Sequence, residues 1–118
     1  MADSGRFSAA TCSVDMRFEE GELQRAVSLL RSVKGDILTK RGCRSCDVAV
    51  DVADAGVLHY REEWESDEAS HQHARSEEFR RVLITVYMSC EEPRVVVGNL
   101  EGHSGLACLR ALLAGDGR

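Results

Sequence analysis

Apolar and polar residues alternate from Cys12 to Phe18: Cys12, Val14, Met16 and Phe18 are apolar, while Ser13, Asp15 and Arg17 are polar. A period of two marks a strand with one buried face. From Glu19 to Lys34 the spacing changes, and Leu23, Ala26, Val27, Leu30 and Val33 recur as on one side of a helix. Glu19, Glu20 and Glu22 suit the positive end of that helix, and Gly35 is its predicted stop. Alternation returns over Cys46 to Val52, with Cys46, Val48, Val50 and Val52 on one face. Asp54-Ala55-Gly56 carries turn chemistry, so Val57 to Trp64 is predicted as the return strand of a hairpin.

Ser66 is a predicted N-cap, followed by Asp67 and Glu68 in a first helical turn. The helical stretch is expected to break near Ser76 and to resume with Phe79, Val82, Leu83, Val86 and Tyr87 inward. Pro93, the only proline, closes it, and Arg94 to Leu100 reads as a Val-rich strand. Ser104 can cap a last helix carrying Leu106, Leu109, Leu112 and Leu113, with Gly115 at its end. The order is β-α-β-β-α-β plus a C-terminal helix. This predicts an α+β, ferredoxin-like antiparallel sheet with helices on one face. Residues 1–11 are expected to be a loose leader and 12–118 a single domain.

Composition narrows the partners. The chain has 118 residues, a formal net charge of −5 and 30% charged residues. A nucleic-acid binder needs a basic surface to replace phosphate counterions, so nucleic acid is not the expected partner. A single-stranded RNA binder can share this strand order, but it also needs exposed aromatics on the middle strands. No apolar run approaches the roughly 20 residues that cross a bilayer, and the first residues lack the apolar core of a secretory signal. The expectation is a cytoplasmic protein with no membrane partner. Its five cysteines would be reduced thiols.

One charge breaks the hairpin's pattern. Cys46, Val48, Val50, Val52, Leu58, Tyr60 and Trp64 share a face with Glu62. A buried carboxylate is costly unless paired or protonated, and such local violations are where function gathers. Glu62 could also pair with a lysine or arginine across the strand, or sit at an exposed sheet end. His73 has the side chain suited to proton transfer at neutral pH, and it could equally orient its helix against the strand. Trp64, the only tryptophan, could wall an aromatic pocket or fill a core or dimer contact. Tyr60 and Tyr87 carry the same two readings.

Other pairs imply less. In a strand, the offset in Cys43-x-x-Cys46 places the two thiols on opposite faces, and no second such pair completes a zinc site. His71 and His73 are i and i+2 on a helix and do not face a common point. No metal site is expected. Cys90 and Cys108 are expected as small buried apolar groups, and His103 has no evident partner.

The segment Glu62-Glu63-Trp64-Glu65-Ser66-Asp67-Glu68-Ala69, continued by His73, Ser76 and Phe79, resembles the antibiotic biosynthesis monooxygenase family. The matching positions are Glu62, Trp64, Ser66, Glu68, Ala69, His73, Ser76 and Phe79. Gly42-Cys43 resembles the family's approach to its second strand, and Pro93 its approach to the fourth. The resemblance spans Val14 to Leu100. Ser70 departs from it, standing where the pattern has a large apolar residue. The segment after Ser104 resembles a C-terminal extension of some members.

The resemblance implies a homodimer in which two sheets pair into an α+β barrel, with a pocket between sheet and helices. It implies oxidation of a phenol- or quinol-type aromatic substrate by molecular oxygen with no cofactor. The electron-rich substrate anion reduces oxygen itself, and the protein supplies binding, deprotonation and a dry cavity. In the haem-degrading branch the ligand position falls on Leu83, and the first strand lacks the asparagine that branch uses, so haem is not expected. The implied roles are His73 and Glu62 in proton handling and Trp64, Phe79 and Tyr60 in substrate binding. A dimer that binds or senses a small hydrophobic ligand without catalysis is the alternative, because a fold does not fix a function.

Overall fold

The computed structural model describes residues 10–98, 100 and 101. Its elements are β1 (Ala10–Arg17), α1 (Glu22–Leu38), β2 (Cys43–Val50), β3 (Val57–Trp64), α2 (Asp67–Ala74), α3 (Glu77–Met88), β4 (Arg94–Val97) and β5 (Leu100–Glu101). The sheet order is β2-β3-β1-β4-β5, and every ladder is antiparallel. This is the α+β, ferredoxin-like arrangement predicted from the alternation.

The two periods do the structural work. Strand β1 buries Ala10, Cys12, Val14 and Met16, and β3 buries Leu58, Tyr60, Glu62 and Trp64. Helix α1 lays Ala26, Leu30, Val33 and Ile37 on that face, and α3 adds Phe79, Val82, Leu83 and Val86. Each large aliphatic side chain so buried contributes about 1.5–3 kcal/mol.

Several boundaries differ from the sequence expectation. Helix α1 starts at Glu22 and runs through Gly35 to Leu38. Ile37 continues the inward stripe, so burial overrides the helix-breaking tendency of glycine. A methyl group added at Gly35 would meet no atom within 4 Å. Gly35→Ala is therefore expected to stabilise the chain by about 0.5–1 kcal/mol, read as a rise of a few degrees in thermal midpoint. A fall in the midpoint would contradict the continuous helix.

Strand β2 ends at Val50 because the Asp51 carboxylate accepts the backbone N–H groups of Ala53 and Asp54 at 3.0 and 2.9 Å, which starts the turn. Val52 is consequently fully exposed and belongs to no buried face. Tyr87, expected inward, is 69% exposed, since the stripe of α3 ends on Val86. Cys90, expected to be buried, is exposed. The predicted strand Arg94 to Leu100 is two short strands, β4 and β5, with Gly98 at positive φ after Val97. Strand β1 begins at Ala10. The rest of the leader, the helix predicted after Ser104, His103 and Cys108 lie outside the described residues.

Candidate functional site

The site forms where β3 meets α2. Alternation along β3 turns Tyr60, Glu62 and Trp64 under the helices. The Ser66 side chain caps α2 by accepting the Ala69 N–H at 3.1 Å. Inside α2 only His73 and Ala74 are buried. His71 points to solvent, as an i, i+2 relation on a helix requires. Ser76 then caps α3 by accepting the Phe79 N–H at 3.1 Å. The break between helices thus places Phe79 beside His73.

Glu62 is 1% exposed. Among the described residues its carboxylate pairs with no lysine or arginine, and Glu62 lies between β1 and β2, opposite Cys12 and Cys46, rather than at the sheet end. Instead, side chains from β3 and α2 converge on it. The Tyr60 hydroxyl donates to Oε2 at 2.5 Å, and the Trp64 indole N–H donates to Oε1 at 2.9 Å. His73 Nε2 lies 2.9 Å from Oε2. The imidazole stacks on Trp64, with centroids 4.6 Å apart, and meets the Phe79 ring edge-on at 5.2 Å. Ser76 Oγ stands 3.3 Å from His73 Nδ1. On the other side the Cys46 thiol donates to the Tyr60 oxygen at 3.5 Å. Hydrogen bonds therefore run inward from Cys46 and Ser76 to a single carboxylate. Among the described residues no buried side-chain nitrogen or oxygen lacks a partner.

Electrostatics fix the direction of this chain. Burial, followed by the nearby Glu62 charge, holds the Tyr60 phenol well above its ordinary pKa, so Tyr60 stays a donor. Burial pushes the Cys46 thiol up to about 11. Cys43 is raised for the same reason, with Glu62 adding to it. Both thiols remain protonated and weakly nucleophilic near neutral pH.

The sequence placed Cys43 and Cys46 on opposite faces, and the structure corrects this. Cys43 pairs with Trp64 and Cys46 with Glu62, which share a face of β3. A β-bulge between Cys43 and Ser45 inserts Arg44 as an extra residue and turns both thiols the same way. Among the described residues no group of three or more His, Cys, Asp or Glu side chains is placed to hold a metal ion.

Space around the network is asymmetric. A crevice bounded by Cys12, Glu62, Ser70, His73, Phe79 and Val97 offers about 10 Å³, room for one water-sized molecule. Ser70 contributes to that space because a large apolar side chain there would fill it. His73 and Trp64 also border an open depression of about 310 Å³, together with Lys40, Arg41, Ala69 and Gln72. His73 borders both spaces. Of the five predicted site residues, the structure brings all into one cluster. The contributions of Ser76 and Cys46 were not read from the sequence, although a capping serine three residues after a helical histidine is a signal that could have shown the first.

The opposite sheet face is polar. His59 lies 2.7 Å from Asp15 and 2.9 Å from Asp51, and Arg17 pairs with Asp54. Its hydrogen bonds to Asp15 and Asp51 raise the His59 pKa above 6.5. The stabilisation from protonated His59 is fully present below its unfolded pKa of about 6.5 and is lost as pH rises through the higher folded value. Chemical denaturation of the wild type is expected to show stability falling above about pH 6.5, and His59→Gln to flatten that fall. An unchanged slope in the variant would assign the dependence to another group.

A family model described as antibiotic biosynthesis monooxygenase matches residues 10–83. Among solved structures, a conserved protein of Methanosarcina mazei superposes with a TM-score of 0.71 at 19% identity, covering 80% of this chain and 94% of that one. A structure titled antibiotic biosynthesis monooxygenase gives 0.66 at 21% identity, covering 75% and 94%. A Mycobacterium tuberculosis protein gives 0.67 at 18%, covering 75% and 91%. No curated protein sequence matches the chain. Among the described residues no helix is long and apolar enough to cross a membrane.

Proposed function

This chain belongs to the antibiotic biosynthesis monooxygenase family, and from that premise we propose that it oxidises a phenol- or quinol-type aromatic substrate with molecular oxygen and no added cofactor. The observation that carries this reading is the buried Glu62 carboxylate with His73 Nε2 2.9 Å away. Loss of a phenolic proton makes such a substrate electron-rich enough to reduce oxygen directly, so the chemistry demanded of the protein is proton acceptance in a dry place. The Glu62–His73 pair is a group of that kind. His73 takes or hydrogen-bonds the substrate proton, Glu62 orients the imidazole and receives the positive charge's partner role, and Tyr60 and Trp64 hold the carboxylate still. Trp64 and Phe79, which sandwich the His73 ring, wall the aromatic pocket. Two copies pair through the polar sheet face, in the cytoplasm.

The test is oxygen uptake by metal-free, cofactor-free protein against a panel of quinols and anthrones. Uptake that requires the protein and yields a product with one added oxygen atom, an anthraquinone from an anthrone or a hydroxyquinone from a quinol, is the expected result, the second oxygen atom leaving as water. His73→Gln is expected to lower it by about 10²–10⁴-fold. Turnover untouched by changes at both His73 and Trp64 would sink the residue assignment.

A second reading has its own observation. Both ring nitrogens of His73 are engaged, by Glu62 and Ser76. This suits a dimer that binds a small hydrophobic ligand without turnover. Absence of uptake across the panel, from folded protein that still binds an aromatic ligand saturably, would favour it.

A further inference from the structure

We propose that the groove between α1 and the edge strand β2 is a second binding site, for a small amphiphilic carboxylate. The groove is open to solvent and offers about 370 Å³, within the range of small-molecule sites. Its walls are Val27 and Leu38 of α1 and Val48 and Val50 of β2. Leu38 and Val50 are each 45% exposed, so this apolar surface is left open to solvent. It shares no residue with the Glu62–His73 cluster or the two spaces beside it.

Charge decides what fits. Arg31 and Lys34, one helical turn apart, border the groove, and no acidic side chain does. Neither cation has an ion-pair partner among the described residues. Two cations without an ion-pair partner among the described residues, beside an apolar trough, complement a ligand with a carboxylate head and a hydrocarbon or aromatic body. Gly35 is the third feature. It lies within α1, where glycine weakens a helix, and no neighbouring atom would obstruct a side chain there. Its missing side chain serves no packing contact and keeps the groove open between Lys34 and Leu38. Arg31 and Lys34 hold the carboxylate by charge-assisted hydrogen bonds, and the body lies along Val27, Leu38, Val48 and Val50.

The test is calorimetric titration of the full chain with decanoate, alongside decanol as the uncharged analogue. One saturable decanoate per chain is expected, with decanol weaker by about tenfold or more. The surface variant Arg31→Glu/Lys34→Glu is expected to weaken decanoate binding by at least about tenfold. Gly35→Leu, which fills the groove while keeping both charges, should weaken it comparably, and His73→Gln should leave it unchanged. The proposal is overturned if no saturable binding occurs, if decanol binds as well as decanoate, or if the charge and filling variants both retain wild-type affinity. It is also overturned if decanoate does not bind and light scattering shows the charge variant to be a smaller species than the wild type. That result would make the groove a contact between copies of the chain.

Discussion

Glu62→Gln is expected to destabilise the protein by about 2–4 kcal/mol, because the carboxylate is the acceptor for three buried side chains. Tyr60 and His73 meet Oε2, and Trp64 meets Oε1. Glutamine keeps one acceptor oxygen and replaces the other with an NH₂ donor. Turned one way, the amide faces the Trp64 N–H donor to donor. Turned the other way, it faces the Tyr60 O–H and His73. The first orientation orphans the Trp64 N–H, the second forces Tyr60 and His73 to turn from donors into acceptors, and both remove the charge that strengthened the bonds. Tyr60→Phe is the informative contrast. It removes one donor and leaves Glu62 with two, so the loss should be about 0.5–1.5 kcal/mol. Urea denaturation of the two variants measures the difference. Equal losses, or Glu62→Gln within about 0.5 kcal/mol of wild type, would mean that Glu62 is not the centre of the network.

Gly42→Ala is expected to cost about 2–5 kcal/mol, through two separate effects. Gly42 has φ +89°, a left-handed backbone that an L side chain adopts with strain. A Cβ at this position would stand 2.8 Å from the Ala69 Cβ in the first turn of α2. The Gly42 carbonyl also accepts the Glu65 N–H at 2.8 Å, so the loop before β2 is tied to the loop after β3. Pushing α2 away from that loop moves His73 relative to Glu62 and Trp64. The expected result is a lower unfolding free energy together with a weaker His73–Trp64 contact, followed by Trp64 fluorescence. Adding Ala69→Gly removes the steric part and leaves the backbone strain, so the double variant should recover part of the loss. No recovery would place the whole effect in the backbone.

Much of this geometry was legible in the order of residues. Alternation defined β1 and β3 because each has one buried and one wet face, and the cap at Ser66 and the helix break near Ser76 are local chemistry that tertiary contacts did not overturn. Glu62 was conspicuous because it sits in the apolar phase of β3. Its partners were less visible. A period-two reading shows that Tyr60, Glu62 and Trp64 share a face, but not that the phenol and the indole both turn toward the carboxylate. The bulge at Arg44 was hidden, since one inserted residue changes no local propensity yet reverses the facing of Cys43 relative to Cys46. Gly35 misled for the opposite reason. Its local tendency is to end a helix, and the burial of Ile37 outweighs it. The cations of the α1–β2 groove gain meaning only when α1 is laid beside an edge strand.

The most direct measurement is mass analysis of the product formed under oxygen-18 gas by chelator-treated protein with the quinol or anthrone that supports uptake. The account predicts that one labelled oxygen atom enters the organic product and that the label is lost in the Glu62→Gln and His73→Gln proteins along with turnover. A product free of label, or labelled equally without the protein, would contradict a monooxygenase.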